Sequence, residues 1–147
     1  EKIKKDKTNS IIALTPSGKT FTQQKAVKLT EKQTITLICG RYEGMDQRIK
    51  THLTTENISI GNYVLSGGEI PALAITEAVT RLLPGAIEKE QATKKESFSK
   101  KMEGKIEYPQ YTRPKNFKGL KVPKVLLSGH HEKIKKWREK QRKKLNY

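Results

Sequence analysis

Hydrophobic positions along the chain fall into short runs broken by glycine and proline. Ile11-Ile12-Ala13-Leu14 is a continuous apolar run that stops at Thr15-Pro16-Ser17-Gly18, which predicts a strand ending in a turn. Thr22 then opens a polar helical stretch to about Lys32, with Ala26, Val27 and Leu29 as its apolar face. Residues from Thr34 to Cys39 are β-branched and apolar and end at Gly40, predicting a buried second strand. Asp46 to His52 predicts a short helix with Met45 and Ile49 facing inward. Ile58 to Ile60 predicts a third strand, followed by glycine turns at Gly61 and Gly67-Gly68. The strongest helical pattern comes next: Pro71 suits a first turn, Ala72 to Leu83 are mostly good helix formers, and Pro84-Gly85 ends the run. Ala72, Ala74 and Ala78 permit close packing there. Strands alternating with helices predict an α/β layer with parallel pairing.

The pattern changes at Ile87, dividing the chain into an α/β domain over 1–87, a linker over 88–105 and a further segment over 106–147. The linker span is charged, nearly devoid of large apolar groups and marked by Gly104, so it reads as flexible or as a loop that orders on binding. Tyr108-Pro109-Gln110-Tyr111-Thr112-Arg113-Pro114 is too rich in proline for regular structure. Val122 to Leu127 reads as a strand or extended segment, and Ser128-Gly129 precedes a basic helix. The first ten residues are polar and read as frayed, and no internal repeat is present.

Composition narrows the classes. A chain of 147 residues, 33% hydrophobic and 31% charged, holds one ordinary domain or one domain with a short appendage. No apolar run approaches the roughly 18 residues of a membrane span, and the opening Glu1 to Lys7 is not followed by the apolar segment of a secretory signal. The single cysteine, Cys39, excludes an intramolecular disulfide framework. A cytoplasmic protein is expected. The net charge of +16 points to a polyanionic partner, nucleic acid being the usual one. A lysine-rich proteome that fills solvated faces is the other source of such a charge. It explains less well the stretch from His130 to Tyr147, where eight Lys/Arg face only Glu132 and Glu139.

Gly40, Gly44, Gly61, Gly67 and Gly68 occupy three loops, each just beyond a strand-like run. In a parallel sheet such loops lie at the carboxyl ends of the strands, where ligands bind. Any one of these glycines is explained by its turn alone, but three loops on one edge point to a nucleotide-like ligand held mostly by backbone. No spacing matches the phosphate-loop or dinucleotide fingerprints. His130 and His131 are adjacent and point about 100° apart on a helix, His52 stands alone, and Cys39 reads as core, so no zinc site is expected. Arg41, Glu43, Asp46, Glu69, Glu77, Arg81 and Glu96 each read as solvated charges, with Arg81 singled out by its place near the end of an apolar helix. Trp137 either stacks a base or packs its helix.

Four blocks, Ile38 to Asp46, Ile58 to Glu69, Tyr108 to Pro114 and Val125 to His131 with Trp137-Arg138, closely resemble the bacterial tRNA (guanine-N1)-methyltransferase family. That family belongs to the SPOUT superfamily of knotted methyltransferases. The resemblance runs in order from about Ile11 to Gln141. It implies an α/β fold with a deep trefoil knot and a parallel sheet flanked by helices, followed by the start of a small helical C-terminal domain. It also implies methyl transfer from S-adenosyl-L-methionine to N1 of the guanosine immediately 3′ of the tRNA anticodon (position 37), by a homodimer, with Mg2+ as a further requirement. The cofactor site carried over comprises Pro16, Gly40, Ser59, Ile60, Gly61, Tyr63, Leu65, Gly67 and Gly68. The family's catalytic carboxylate corresponds to Glu96 in Glu96-Ser97-Phe98, and its catalytic arginine to Arg81. In the dimer, the linker and basic C-terminal segment of one subunit would complete the site of the other.

The sequence departs from the family pattern in three ways. Glu96 stands where Asp is usual, adding one methylene, and Asn62 stands where Asp is usual in the cofactor loop. The chain is also expected to be truncated at both ends, lacking the family's first strands and the rest of its C-terminal domain. Two further readings remain beside the methyltransferase: a non-catalytic RNA-binding module that keeps the knot, and a generic basic ribosome-associated protein. Binding of S-adenosylmethionine separates the first reading from the others.

Overall fold

The computed structural model describes residues 7–88, 93 and 96–144, so residues 1–6, 89–92, 94–95 and 145–147 lie outside the described residues. The chain forms two compact units, Glu1–Glu90 and Gln91–Tyr147.

The first unit is built on a three-stranded parallel sheet. Strand β1 (Asn9–Thr20) lies at its centre, between β2 (Thr34–Cys39) and β3 (Glu56–Ser59). Ile11, Ile12, Ala13 and Leu14 are all buried, as a central strand covered on both faces requires. The predicted turn at Thr15 to Gly18 does not end this strand. Leu14 and Lys19 both pair with Ile58, so the four residues between them bulge out of the ladder and β1 resumes through Thr20. Gly18 permits this, because a Cβ there would sit 2.5 Å from the Ile58 backbone. The β2 strand, expected to be buried, is an edge strand: Ile35 and Leu37 reach the core while Cys39 is exposed.

Helix α1 (Gln23–Leu29) starts where the Thr22 hydroxyl accepts from the Lys25 N–H at 3.2 Å, and it stops at Thr30, short of the predicted Lys32. Ala26 and Leu29 are buried, but Val27, expected on the same face, is exposed. The predicted helix at Asp46 to His52 is a π-helical turn over Ile49–Leu53, with no buried residue. Helix α2 (Glu69–Thr80) carries Pro71 in its first turn and buries Ile75 and Val79. Ile12, Leu14, Ala26, Leu29, Ile58, Ile75 and Val79 form one core that joins both helices to the sheet. Full burial of each large aliphatic side chain contributes about 1.5–3 kcal/mol.

A polar clamp ties the strands at the other end. The Thr55 hydroxyl accepts from the Ile11 N–H and donates to the Ile11 carbonyl, both at 2.9 Å, while Glu56 accepts from Ser10 and pairs with Lys25.

The second unit is lighter. Within the span expected as linker, residues Lys100–Met102 form a 3-10 turn and Met102 is buried. Strand β4 (Lys105–Ile106) pairs antiparallel with β7 (Lys143–Lys144), and β5 (Asn116–Phe117) forms a hairpin with β6 (Leu120–Lys121). Lys118 and Gly119 make the hairpin turn with φ of 50° and 88°, as a type I′ turn needs. Val122 to Leu127, expected to be extended, contains a 3-10 helix over Lys124–Leu127. Helix α3 (His131–Gln141) follows. No described helix is long and apolar enough to cross a membrane.

Candidate functional site

The order β2-β1-β3 brings the segments beyond all three parallel strands to one edge of the sheet. They enclose an open cleft. The β1 bulge supplies Thr15 and Pro16, the loop after β2 supplies Gly40 to Met45, and the loop after β3 supplies Ile60, Gly61 and Tyr63 to Gly68. Pro16, Gly40, Ser59, Ile60, Gly61, Tyr63, Leu65, Gly67 and Gly68 all line it. Its cavity of about 180 Å³ is small beside the ~300 Å³ at which small-molecule sites begin.

Backbone contacts hold two of these loops together. The Gly68 N–H donates to the Gly40 carbonyl at 3.0 Å, and Arg41 bridges to Gly67. The approach is close enough that a Cβ on Gly68 would lie 2.6 Å from Cys39 Cα. Ser59 closes the foot of the third loop, its hydroxyl donating to the Gly61 carbonyl at 2.8 Å and accepting from the Gly61 N–H at 3.2 Å.

Charge sits at the rim. Arg41 Nε donates to Glu69 Oε1 at 2.7 Å, joining the loop after β2 to the first turn of α2. The Glu69 carboxyl is held below its ordinary value by its own backbone N–H and then by Arg41. Partial burial, with the nearby Glu69 carboxylate, pushes the Cys39 thiol up, so it is not a poised nucleophile. Arg41 and Glu69 were legible only as separate charges, since no sequence signal links residues 28 apart.

The two expected catalytic residues belong to other elements of the chain. Arg81 is the C-cap of α2, its N–H donating to the Glu77 carbonyl at 3.1 Å, and it does not line the cleft. Twelve helical residues at ~1.5 Å each separate the ends of α2 by about 18 Å. Glu96 belongs to the second unit and is half-buried. Its carbonyl accepts from the Ser99 N–H at 3.2 Å, opening a turn in which Ser97 accepts from the Glu107 N–H and Phe98 donates to the Lys105 carbonyl, both at 2.9 Å.

Among the described residues no three His, Cys, Asp or Glu side chains come together to hold a metal ion.

The whole chain can now be set beside known proteins. It matches the family model for tRNA (guanine-1)-methyltransferase TrmD over residues 1–146. Curated proteins named tRNA (guanine-N(1)-)-methyltransferase from Staphylococcus aureus strains JH9 and Newman are each 52% identical over 132 residues. Those residues are 90% of this chain and 53% of the relatives, so the chain spans about half the length of the curated proteins it matches. A match that runs through the cleft loops and the second unit alike carries one conclusion: the chain belongs to the tRNA (guanine-1)-methyltransferase family.

Proposed function

We propose that this chain binds S-adenosyl-L-methionine in the cleft and contributes to methylation of N1 of the guanosine immediately 3′ of the anticodon in tRNA. The observation that carries the reading is the cleft itself, at the carboxyl ends of three parallel strands in a chain of this family. Its lining fits the cofactor's chemistry: Leu14, Pro16, Ile60 and Leu65 offer apolar surface, and the glycine loops bring backbone donors and acceptors close. When bound there, S-adenosylmethionine supplies an electrophilic methyl group. We propose that the contact between the loops beyond β2 and β3, at Gly68 and Gly40, belongs to a deep trefoil knot of the SPOUT type.

Neutral guanine carries a proton on N1 and must lose it to become nucleophilic. Glu96 accepts that proton, and the Arg81 guanidinium stabilises charge developing on O6. The extra methylene of Glu96 relative to Asp sets its carboxylate further from its backbone. Arg81 lies at the end of α2 remote from its own cleft, which suits a homodimer in which it serves the cleft of a second copy. Exposed apolar groups support such an interface: Tyr42 is 99% exposed, Val64 82%, and Ile70 and Leu73 project from α2. A tRNA substrate implies a cytoplasmic setting.

Calorimetry with S-adenosylmethionine, paired with methyl transfer to a cognate tRNA transcript, tests the reading. Glu96→Gln and Arg81→Ala are each expected to lower turnover by about 10²–10⁴-fold while cofactor affinity holds. Full activity in either variant removes that residue's role. Absence of cofactor binding overturns the methyltransferase reading in favour of an RNA-binding module, which the basic second unit supports independently.

A further inference from the structure

We propose that the second unit contains a binding site for one unstacked base and its phosphate in single-stranded RNA, in the cleft between residues 108–115 and α3. The proposal rests on the RNA-binding part of the function above but needs none of the methyl-transfer chemistry.

This cleft has a cavity of about 340 Å³, within the ~300–1,000 Å³ usual for small-molecule sites. Val122, Leu126 and Ile134 supply apolar surface. Arg113, Lys115 and Arg138 supply three cations, and no carboxylate lines the cleft among the described residues. The site therefore selects an anion with an apolar body.

The aromatic groups show what that body is. The Arg138 guanidinium carbon sits 4.8 Å from the centroid of Tyr108, so one face of that ring is occupied. The stack fixes a flat fork of donors at the cleft wall. Tyr111 remains 47% exposed. Its only ring neighbour among the described residues is Trp137, at 6.3 Å between centroids and tilted by 57°, so neither face of the Tyr111 ring is stacked flat on another described ring. Gln110 adds an amide able to donate to and accept from a base edge. Arg113 follows two residues after Tyr111, where a cation would meet the phosphate of a base stacked on that ring. An aromatic face set beside cations reads a splayed nucleotide, because bases in an A-form duplex have their faces stacked on one another. An acidic peptide would use the cations but leave the Tyr111 ring unmatched.

Trp137 is the only tryptophan in the chain and neighbours Tyr111, so its fluorescence reports on the surroundings of that ring. Titrating the full chain with an unstructured oligoribonucleotide is expected to quench Trp137, while a blunt RNA duplex with the same number of phosphates binds without quenching. Tyr111→Ala should weaken single-strand binding roughly 5- to 150-fold, and Tyr111→Phe should preserve it. Arg113→Ala should lower the salt slope of binding by about one. Circular dichroism checks that α3 is retained in each variant. Equal quenching by duplex, or unchanged single-strand affinity in Tyr111→Ala, overturns the proposal. Displacement of the RNA by polyglutamate at equal charge overturns it in favour of an acidic protein partner. A chain that methylates tRNA but shows neither quenching nor Tyr111 dependence loses this site alone. One that shows both but binds no S-adenosylmethionine loses the methyltransferase reading alone.

Discussion

The two units of the chain use their residues in opposite ways. Glu1–Glu90 carries 13 Lys/Arg against 10 Asp/Glu, a net +3, while Gln91–Tyr147 carries 18 against 5, a net +13. Among the described residues, every buried hydrophobic residue except Met102 lies in the first unit. That unit is organised by burial, and its cleft is made of backbone brought close by glycine. The second unit has little core and holds itself with short antiparallel pairs, a hairpin and an arginine stacked on tyrosine. The difference teaches that most of the chain's net charge belongs to one unit, and that the two proposed ligands should obey different physics.

Salt is the sharpest way to separate them. RNA affinity of the full chain is expected to fall by about 10³–10⁵ between 50 and 200 mM salt if six to ten phosphates are engaged. S-adenosylmethionine affinity should scarcely move across the same range. Parallel salt dependence of both ligands would erase the division. A smaller effect should follow from Gly68→Ala, which forces a methyl group against Cys39 Cα and parts the two loops. Calorimetry should show cofactor affinity reduced at least about tenfold, a loss of roughly 1.4 kcal/mol, with RNA binding unchanged. The smallest effect concerns the rim. Because the Glu69 carboxyl titrates below its ordinary value, the stabilisation it gives is complete above the ordinary carboxylate range and is lost as pH falls through the lowered value. Cofactor affinity should therefore decline on acidification in the native chain, and Glu69→Gln should flatten that part of the profile.

Much of the first unit was legible because its signals are local. Ile11 to Leu14 announces a buried strand, Thr22 an N-cap, and Pro71 and Pro84 bracket α2. The glycine loops were placed on one edge by the logic of parallel sheets, and the structure does gather them around one cleft. What escaped depends on partners distant in sequence. Pro16 and Gly18 look like the end of β1, yet pairing with Ile58 resumes beyond them. Cys39 and Val27 have apolar neighbours, but the edge position of β2 exposes the first, and the second is rotated off the helix face that buries Ala26 and Leu29. In the second unit Lys124–Leu127 is too short a run for periodicity to distinguish strand from 3-10 helix. The contacts Arg41–Glu69 and Arg138–Tyr108 join segments far apart along the chain, and no local pattern reveals them.

The doubled partner of Ile58 has a consequence for how the first unit breathes. One residue of β3 is gripped by β1 both before and after the bulge, so Pro16 at the cleft wall cannot retreat without loosening a rung of the central ladder. A ligand resting on Pro16 and Ile60 would therefore restrain local opening of the sheet itself. Amide hydrogen exchange at Ile58 and Ser59 should slow on cofactor binding, although neither amide need touch the ligand. The cleft and the core are, in that sense, one cooperative unit.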